Sequence, residues 1–212
     1  MLIFNRLVEI YSYREWKPRF PPIDELVLTI LSQNTSDVNA FRAFRNLKAK
    51  CSTWYEVLNL SDDELYNIIK FGGLGKIKSK RIKYVLSEII SRVGKLDLNF
   101  LKDLPPEKAR EWLVSIKGIG FKTASIVLQF SLGIPAIPVD THVFRVSSRL
   151  GLIPPKTTRE KAHIILESLF DTKDYYTIHL NLISHGRKIC HARSPLCDKC
   201  KLNDLCDFFN TS

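Results

Sequence analysis

Cys190, Cys197, Cys200 and Cys206 fall within 17 residues as a C-x6-C-x2-C-x5-C array. Four soft thiolates so spaced can close around one metal centre, so this last part of the chain, short of apolar mass, is expected to be held by coordination. Residue types alone leave the metal open, because zinc and iron–sulfur clusters both take four cysteines. Zinc ribbons favour two C-x2-C knuckles, and here only Cys197 and Cys200 make one. Disulfides are the weaker reading. The opening Met1–Ile10 stretch is broken by Asn5, Arg6 and Glu9, unlike a signal peptide, and no apolar run reaches a membrane span of about 18 residues. A soluble, intracellular chain in a reducing compartment is expected, with the isolated Cys51 a buried small apolar residue.

The rest reads as all-α. Apolar residues recur at helical spacing in 24–32 (Leu26, Val27, Ile30, Leu31), in 62–69 and in 81–93, and alternation with period two is scarce. Pro105 and Pro106 precede the helical pattern 107–115; Lys117-Gly-Ile-Gly120 breaks it, and it resumes over 122–132, giving helix, tight hairpin, helix. Gly133, Pro135 and Pro138 make a stiff connector and the best candidate hinge, with 18–22 the second; Asp140 is placed to cap a helix over 141–150. A central helical unit flanked by the two chain ends follows from these breaks.

The hairpin and its flanks carry the chemistry. Gly118 and Gly120 permit positive φ and remove side-chain bulk, so that backbone N–H groups of 117–120 can face a phosphate oxygen at the start of the next helix, with the Lys117 and Lys122 charges beside them. A net charge of +10 suits a polyanion such as nucleic acid. Lys122 in a first helical turn lies where the dipole and nearby cations disfavour its protonated form, and a neutral amine is a nucleophile. With Asp140 it would make an amine that attacks a sugar C1′ and a carboxylate that accepts its proton or stabilises the oxocarbenium charge. Seventeen residues separate the two, so their meeting depends on the fold.

Leu113-Val-Ser-Ile-Lys-Gly-Ile-Gly-Phe-Lys-Thr-Ala-Ser-Ile-Val-Leu128 followed by Val139-Asp-Thr-His-Val-Phe-Arg145 resembles the helix-hairpin-helix DNA glycosylases, nearest to the endonuclease III family. The likeness extends to Leu31-Ser-Gln-Asn-Thr-Ser-Asp37, to Gly73-Leu-Gly-Lys-Ile-Lys-Ser-Lys-Arg-Ile82 and to the cysteine spacings. It implies a two-domain all-α fold with a C-terminal iron–sulfur cluster loop: a six-helix domain over 24–135 containing the hairpin, and a discontinuous cluster domain from 1–23 and 136–212. By the same likeness Lys122 matches the Schiff-base lysine and Asp140 the active-site aspartate. Gln33 matches the residue that fills the gap left by the flipped base, Leu74 the wedge beside it, and Lys117, Gly118, Ile119 and Gly120 the DNA-binding hairpin. Cys190, Cys197, Cys200 and Cys206 match the ligands of a 4Fe-4S cluster. The chain departs from the family in having Ile116-Lys117 where Leu-Pro is frequent, and Asn34 for a small residue.

The expectation is a monomeric base excision repair glycosylase with AP lyase activity, acting at the nucleoid on double-stranded DNA that holds an oxidised pyrimidine or abasic site. A mismatch uracil or thymine glycosylase, an oxidised-guanine glycosylase and a non-enzymatic DNA-binding module with structural zinc are the alternatives. His142 reads as a partner or phosphate contact, and Trp16, Trp54 and Trp112 as packing residues. Arg187, Lys188, Arg193, Lys199 and Lys201 give the cysteine segment a basic surface.

Overall fold

A computed structural model describes residues 2–211, and every regular element among them is helical. The chain opens with α1 (Leu2–Tyr11). Seven helices follow: α2 (Pro22–Ser32), α3 (Asp37–Lys50), α4 (Trp54–Asn59), α5 (Asp62–Ile69), α6 (Gly75–Val93), α7 (Pro106–Val114) and α8 (Phe121–Val127), the last running on as a π-helical turn, Leu128–Leu132. Then come α9 (Thr141–Arg149), α10 (Arg159–Leu169), α11 (Tyr175–Lys188) and α12 (Asp207–Asn210). The chain divides into two compact units, Pro18–Leu132 and Met1–Lys17 with Gly133–Ser212.

In the unit Pro18–Leu132, α2 is the central helix. Pro22 in its first turn suits the fixed φ of proline, and all residues from Leu26 to Leu31 are buried. Burying one helix on every side requires cover from several others, and α3, α6 and α8 supply it. Glu25 on α2 is fully buried, and the charge is matched by the guanidinium of Arg19 in a bidentate pair. Helix starts are chemically marked: Ser61 and Glu64 form a reciprocal capping box on α5, and Ser36 caps α3. The unit has seven α-helices among the described residues, the six-residue α4 being the shortest. Trp54 packs on Phe44 and donates its indole N–H to Asp24 at 2.7 Å, and Trp112 meets Phe100 edge-to-face.

In the other unit the two chain ends are joined by named bonds. Asn181, wholly buried on α11, donates to the carbonyls of Leu7 and Ser12 (3.4 and 3.1 Å) and accepts from Arg14 Nε at 3.3 Å. Thr177, one turn earlier, exchanges bonds with the Arg14 backbone, at 3.1 and 2.9 Å. Leu7, Val143, Val146, Leu150, Ile178 and Leu182 form the buried core of this unit. Gly186 lets α11 close on α9, since an added Cβ would stand 3.1 Å from His142 Cβ and Val146 Cγ2. Trp16 packs over Gly133, and Cys51, in the first unit, is buried as expected of an isolated thiol.

Candidate active site

The hairpin lies between α7 and α8. Ile119 N–H donates to Ile116 O at 3.0 Å to close the turn, and Ile116 and Ile119 are buried, anchoring it from beneath. Lys117 and Gly120 point to solvent. The two glycines do different work. Gly118 has φ +99°, a conformation glycine alone adopts freely, whereas Gly120 has φ −96° and needs no such freedom. Around Gly120 a Cβ would meet nothing within 4 Å, so its use is open space at the helix start. Of the two glycines that permit positive φ, only Gly118 uses it; Gly120, as the N-cap of α8, takes the extended conformation normal there.

Lys122 lies in the first turn of α8 and is exposed, two residues beyond Gly120. Asp140, half-buried, is the N-cap of α9, and its Oδ1 accepts from Val143 N–H at 2.7 Å. That bond fixes the carboxylate and leaves Oδ2 outside the cap. Lys122 belongs to the unit Pro18–Leu132 and Asp140 to the other. The residues just before Asp140 are clamped within their own unit, beyond the boundary between Leu132 and Gly133. Ile137 N–H donates to Glu167 Oε1 at 2.9 Å, and the buried His163 and His179 each bring Nδ1 to 2.8 Å from a carbonyl, of Ile137 and Pro138. Both imidazoles thus carry the proton on Nδ1. Nothing in the spacing of these histidines distinguishes them from ordinary core residues. His142 Nδ1 faces Arg145 Nη2 at 3.1 Å, a role inside the protein beside the partner contact expected of it.

Gln33 is the C-cap of α2, and Asn34 follows with φ +52°, a left-handed turn that Asn tolerates better than most residues. Leu74 precedes α6, also left-handed (φ +49°), and is 53% exposed, so it is no core leucine. Two residues that sequence reading passed over organise these loops. Lys78 is fully buried on α6 and donates to Leu31 O at 2.6 Å, at the end of α2; burial, with Arg81 nearby, lowers its pKa to about 8. Arg81, one turn on, donates from Nη1 to Gln33 Oε1, and its stem lies against Gly118. In the basic run 76–81 only the packed face distinguishes these two from their solvated neighbours.

The four cysteines line one pocket together with Arg149, His185, Leu150 and Phe208. Arg149 Nη1 donates to Cys190 Sγ at 3.2 Å, Leu202 N–H to Cys200 Sγ at 3.4 Å, and His185 Nε2 lies 3.5 Å from the same sulfur. N–H groups aimed at sulfur suit thiolates in a cluster site. Burial pushes the Cys200 and Cys206 thiols up, and the neighbouring cysteines add to it, a cost that a cationic centre would offset. Four cysteines lining one pocket, with N–H donors from Arg149 and Leu202 turned toward two of the sulfurs, make a donor set that fits a 4Fe-4S cluster.

Residues 27–172 match the HhH-GPD superfamily base excision DNA repair protein, and 190–206 the iron-sulfur binding domain of endonuclease III. Endonuclease III of Sulfolobus acidocaldarius is 36% identical over 87% of this chain and 81% of its own length. A putative DNA glycosylase of Arabidopsis thaliana is 36% identical over 85% of this chain, which spans 59% of that longer relative. Among solved structures, a non-covalent endonuclease III–DNA complex covers 99% of this chain, and 94% of its own chain is covered (26% identity, TM-score 0.84). A trapped endonuclease III–DNA covalent intermediate covers 98%, with 94% of its own chain (27% identity, TM-score 0.83). With family matches over most of its length, a cluster-fitted cysteine pocket and the hairpin geometry above, the chain belongs to the HhH-GPD superfamily of base excision DNA repair proteins, in its endonuclease III family.

Proposed function

We propose that this protein is a base excision repair glycosylase with AP lyase activity that removes oxidised pyrimidines from duplex DNA as a single chain, using Lys122 as nucleophile. The observation that carries the reading is the exposed Lys122 set directly after the Gly118–Gly120 hairpin, within a chain of the endonuclease III family. A backbone-reading hairpin brings phosphate beside that amine without side-chain bulk between them. Extruding the damaged nucleotide costs a few kcal/mol of stacking and pairing, so Gln33 filling the gap and Leu74 wedging beside it have a physical task.

In this mechanism the unprotonated Lys122 amine attacks C1′ of the everted deoxyribose as the bond to the base breaks, and the base leaves with the electron pair of that bond. Asp140 stabilises the positive charge that develops at C1′ and takes a proton from the attacking nitrogen. The sugar ring opens to a Schiff base between Lys122 and C1′; loss of a C2′ proton then expels the 3′ phosphate by β-elimination, and water releases the lysine. A solved relative is a covalent protein–DNA intermediate, which supports a nucleophile attached to DNA here. Cys190, Cys197, Cys200 and Cys206 would hold the 4Fe-4S cluster, which would supply structural closure of the loops from 190 to 206. Arg187, Lys188, Arg193, Lys199 and Lys201 would set basic charge around them.

Borohydride reduction during turnover tests the assignment. It should convert the Schiff base into a stable protein–DNA adduct, and Lys122→Ala should abolish it. An adduct formed at the wild-type rate by that variant removes Lys122 from the role. Duplexes carrying one defined lesion each would then rank oxidised pyrimidines against mismatched uracil or thymine and oxidised guanine.

A further inference from the structure

Leu74, Lys78 and Arg81 lie at the start of α6 or within its first two turns, in the unit Pro18–Leu132. Leu74 stands at the helix N-terminus, Lys78 closes the end of α2 from below, and Arg81 joins two loops. Arg81 Nη1 donates to Gln33 Oε1, while its Cγ and Cδ would lie 3.1 and 3.2 Å from a Cβ placed on Gly118. One side chain therefore links the residue after α2 to the hairpin. A guanidinium offers donors only, so the oxygen of the Gln33 amide must face Arg81 and the NH2 group must face away. The amide orientation, ordinarily ambiguous, is dictated by chemistry.

We infer that Arg81 is a positioning and specificity-determining residue that holds the Gln33 amide oxygen-inward, so that Gln33 offers only hydrogen-bond donors to the base left unpaired when the damaged nucleotide is extruded. The inference rests on the reading of Gln33 as the gap-filling residue. A donor-only plug favours an orphan base that turns an acceptor toward it, such as O6 of guanine, and gains nothing where the opposite nucleotide lacks a base. Arg81 acts through Gln33 and not on phosphate.

Binding of the full, cluster-loaded chain to duplexes with a tetrahydrofuran abasic analogue tests this without the cost of breaking a lesion pair. The analogue is placed opposite guanine or opposite a second tetrahydrofuran. The wild type should bind the guanine duplex about five- to tenfold more tightly. Gln33→Ala and Arg81→Met should each bring that ratio to within about twofold of one, and the double variant should lose no more than either. Arg81→Met keeps the stem over Gly118; Gln33→Glu leaves Arg81 intact, strengthens the pair, and should still lose the preference because it offers no donor. If Gln33→Ala keeps the ratio, the gap-filling reading itself falls. If Gln33→Ala loses it and Arg81→Met keeps it, only the role of Arg81 falls. Equal weakening on both duplexes by Arg81→Met, with the salt slope reduced by about one, makes Arg81 a phosphate contact and overturns the inference. A wild type with no preference overturns it as well.

Discussion

Asp140 caps α9 and is proposed to act on the reacting sugar, and one pair of substitutions separates the two. Its Oδ1 caps α9 through Val143 N–H at 2.7 Å, and its charge is assigned to the reacting sugar. Replacement by alanine removes both. Loss of such a cap costs about 1 kcal/mol, which for a chain of this size lowers Tm by about 2–4 °C. Asparagine keeps an acceptor of the same reach and rank as an N-cap, so Asp140→Asn should lose only the charge–dipole part, a few tenths of a kcal/mol. The chemistry responds on another scale. A carboxylate acting as base or electrostatic stabiliser contributes about 10²- to 10⁴-fold in rate, or roughly 3–5 kcal/mol, so Asp140→Asn should lose nearly all base release with Tm almost unchanged. Single-turnover excision beside calorimetric melting reads both quantities on the same samples. An Asp140→Asn protein that excises at the wild-type rate refutes the chemical role. One that melts as low as Asp140→Ala refutes the side-chain cap.

Lys78 gives a pH signature. Below about pH 8 folded and unfolded chains both hold its proton, and the full cost of burying the ammonium is present. Between about 8 and 10.5 the folded chain has shed a proton that the unfolded chain keeps, so stability rises with pH relative to Lys78→Met, by at most about 3 kcal/mol. Urea denaturation at pH 7 and pH 10 reads the difference, and parallel curves for the two proteins would contradict it. Gly118→Ala should destabilise by about 1–2 kcal/mol, from the left-handed φ and the crowding of Arg81, whereas Gly120→Ala should melt like wild type. Weaker DNA binding by Gly120→Ala alone would then report close approach of phosphate; unchanged binding would place the phosphate elsewhere. Acid or oxidative removal of iron should bleach the visible absorbance and open 190–206 to proteases, and Cys197→Ser should behave the same way; a colourless, zinc-containing protein would reverse the cofactor assignment.

Much of this was legible in residue order because local rules act locally. Helical periodicity, the prolines before α7 and the Asp140 cap are set by neighbours within one turn, and the elements appear where those signals lie. The cysteine array needs little fold to be read, since its ligands are close in sequence. The glycines of 118 and 120 looked alike, but only the closed turn shows which of them carries positive φ.

The sequence by itself determined the helical class, the hairpin, the ligand spacing and the residue types available for chemistry. Tertiary structure decided which side chains of a solvated-looking run turn inward. Lys76, Lys78, Lys80 and Arg81 are all basic, yet only Lys78 is fully buried against the end of α2 and only Arg81 reaches Gln33. It also decided that Asn181 and Thr177 fasten the N-terminal segment to α11, and that His163 and His179 clamp the residues before Asp140. Each of these contacts spans from 26 to 174 positions along the chain. Periodicity carries no information at such separation, and a buried polar group finds its partner only once the chain has packed.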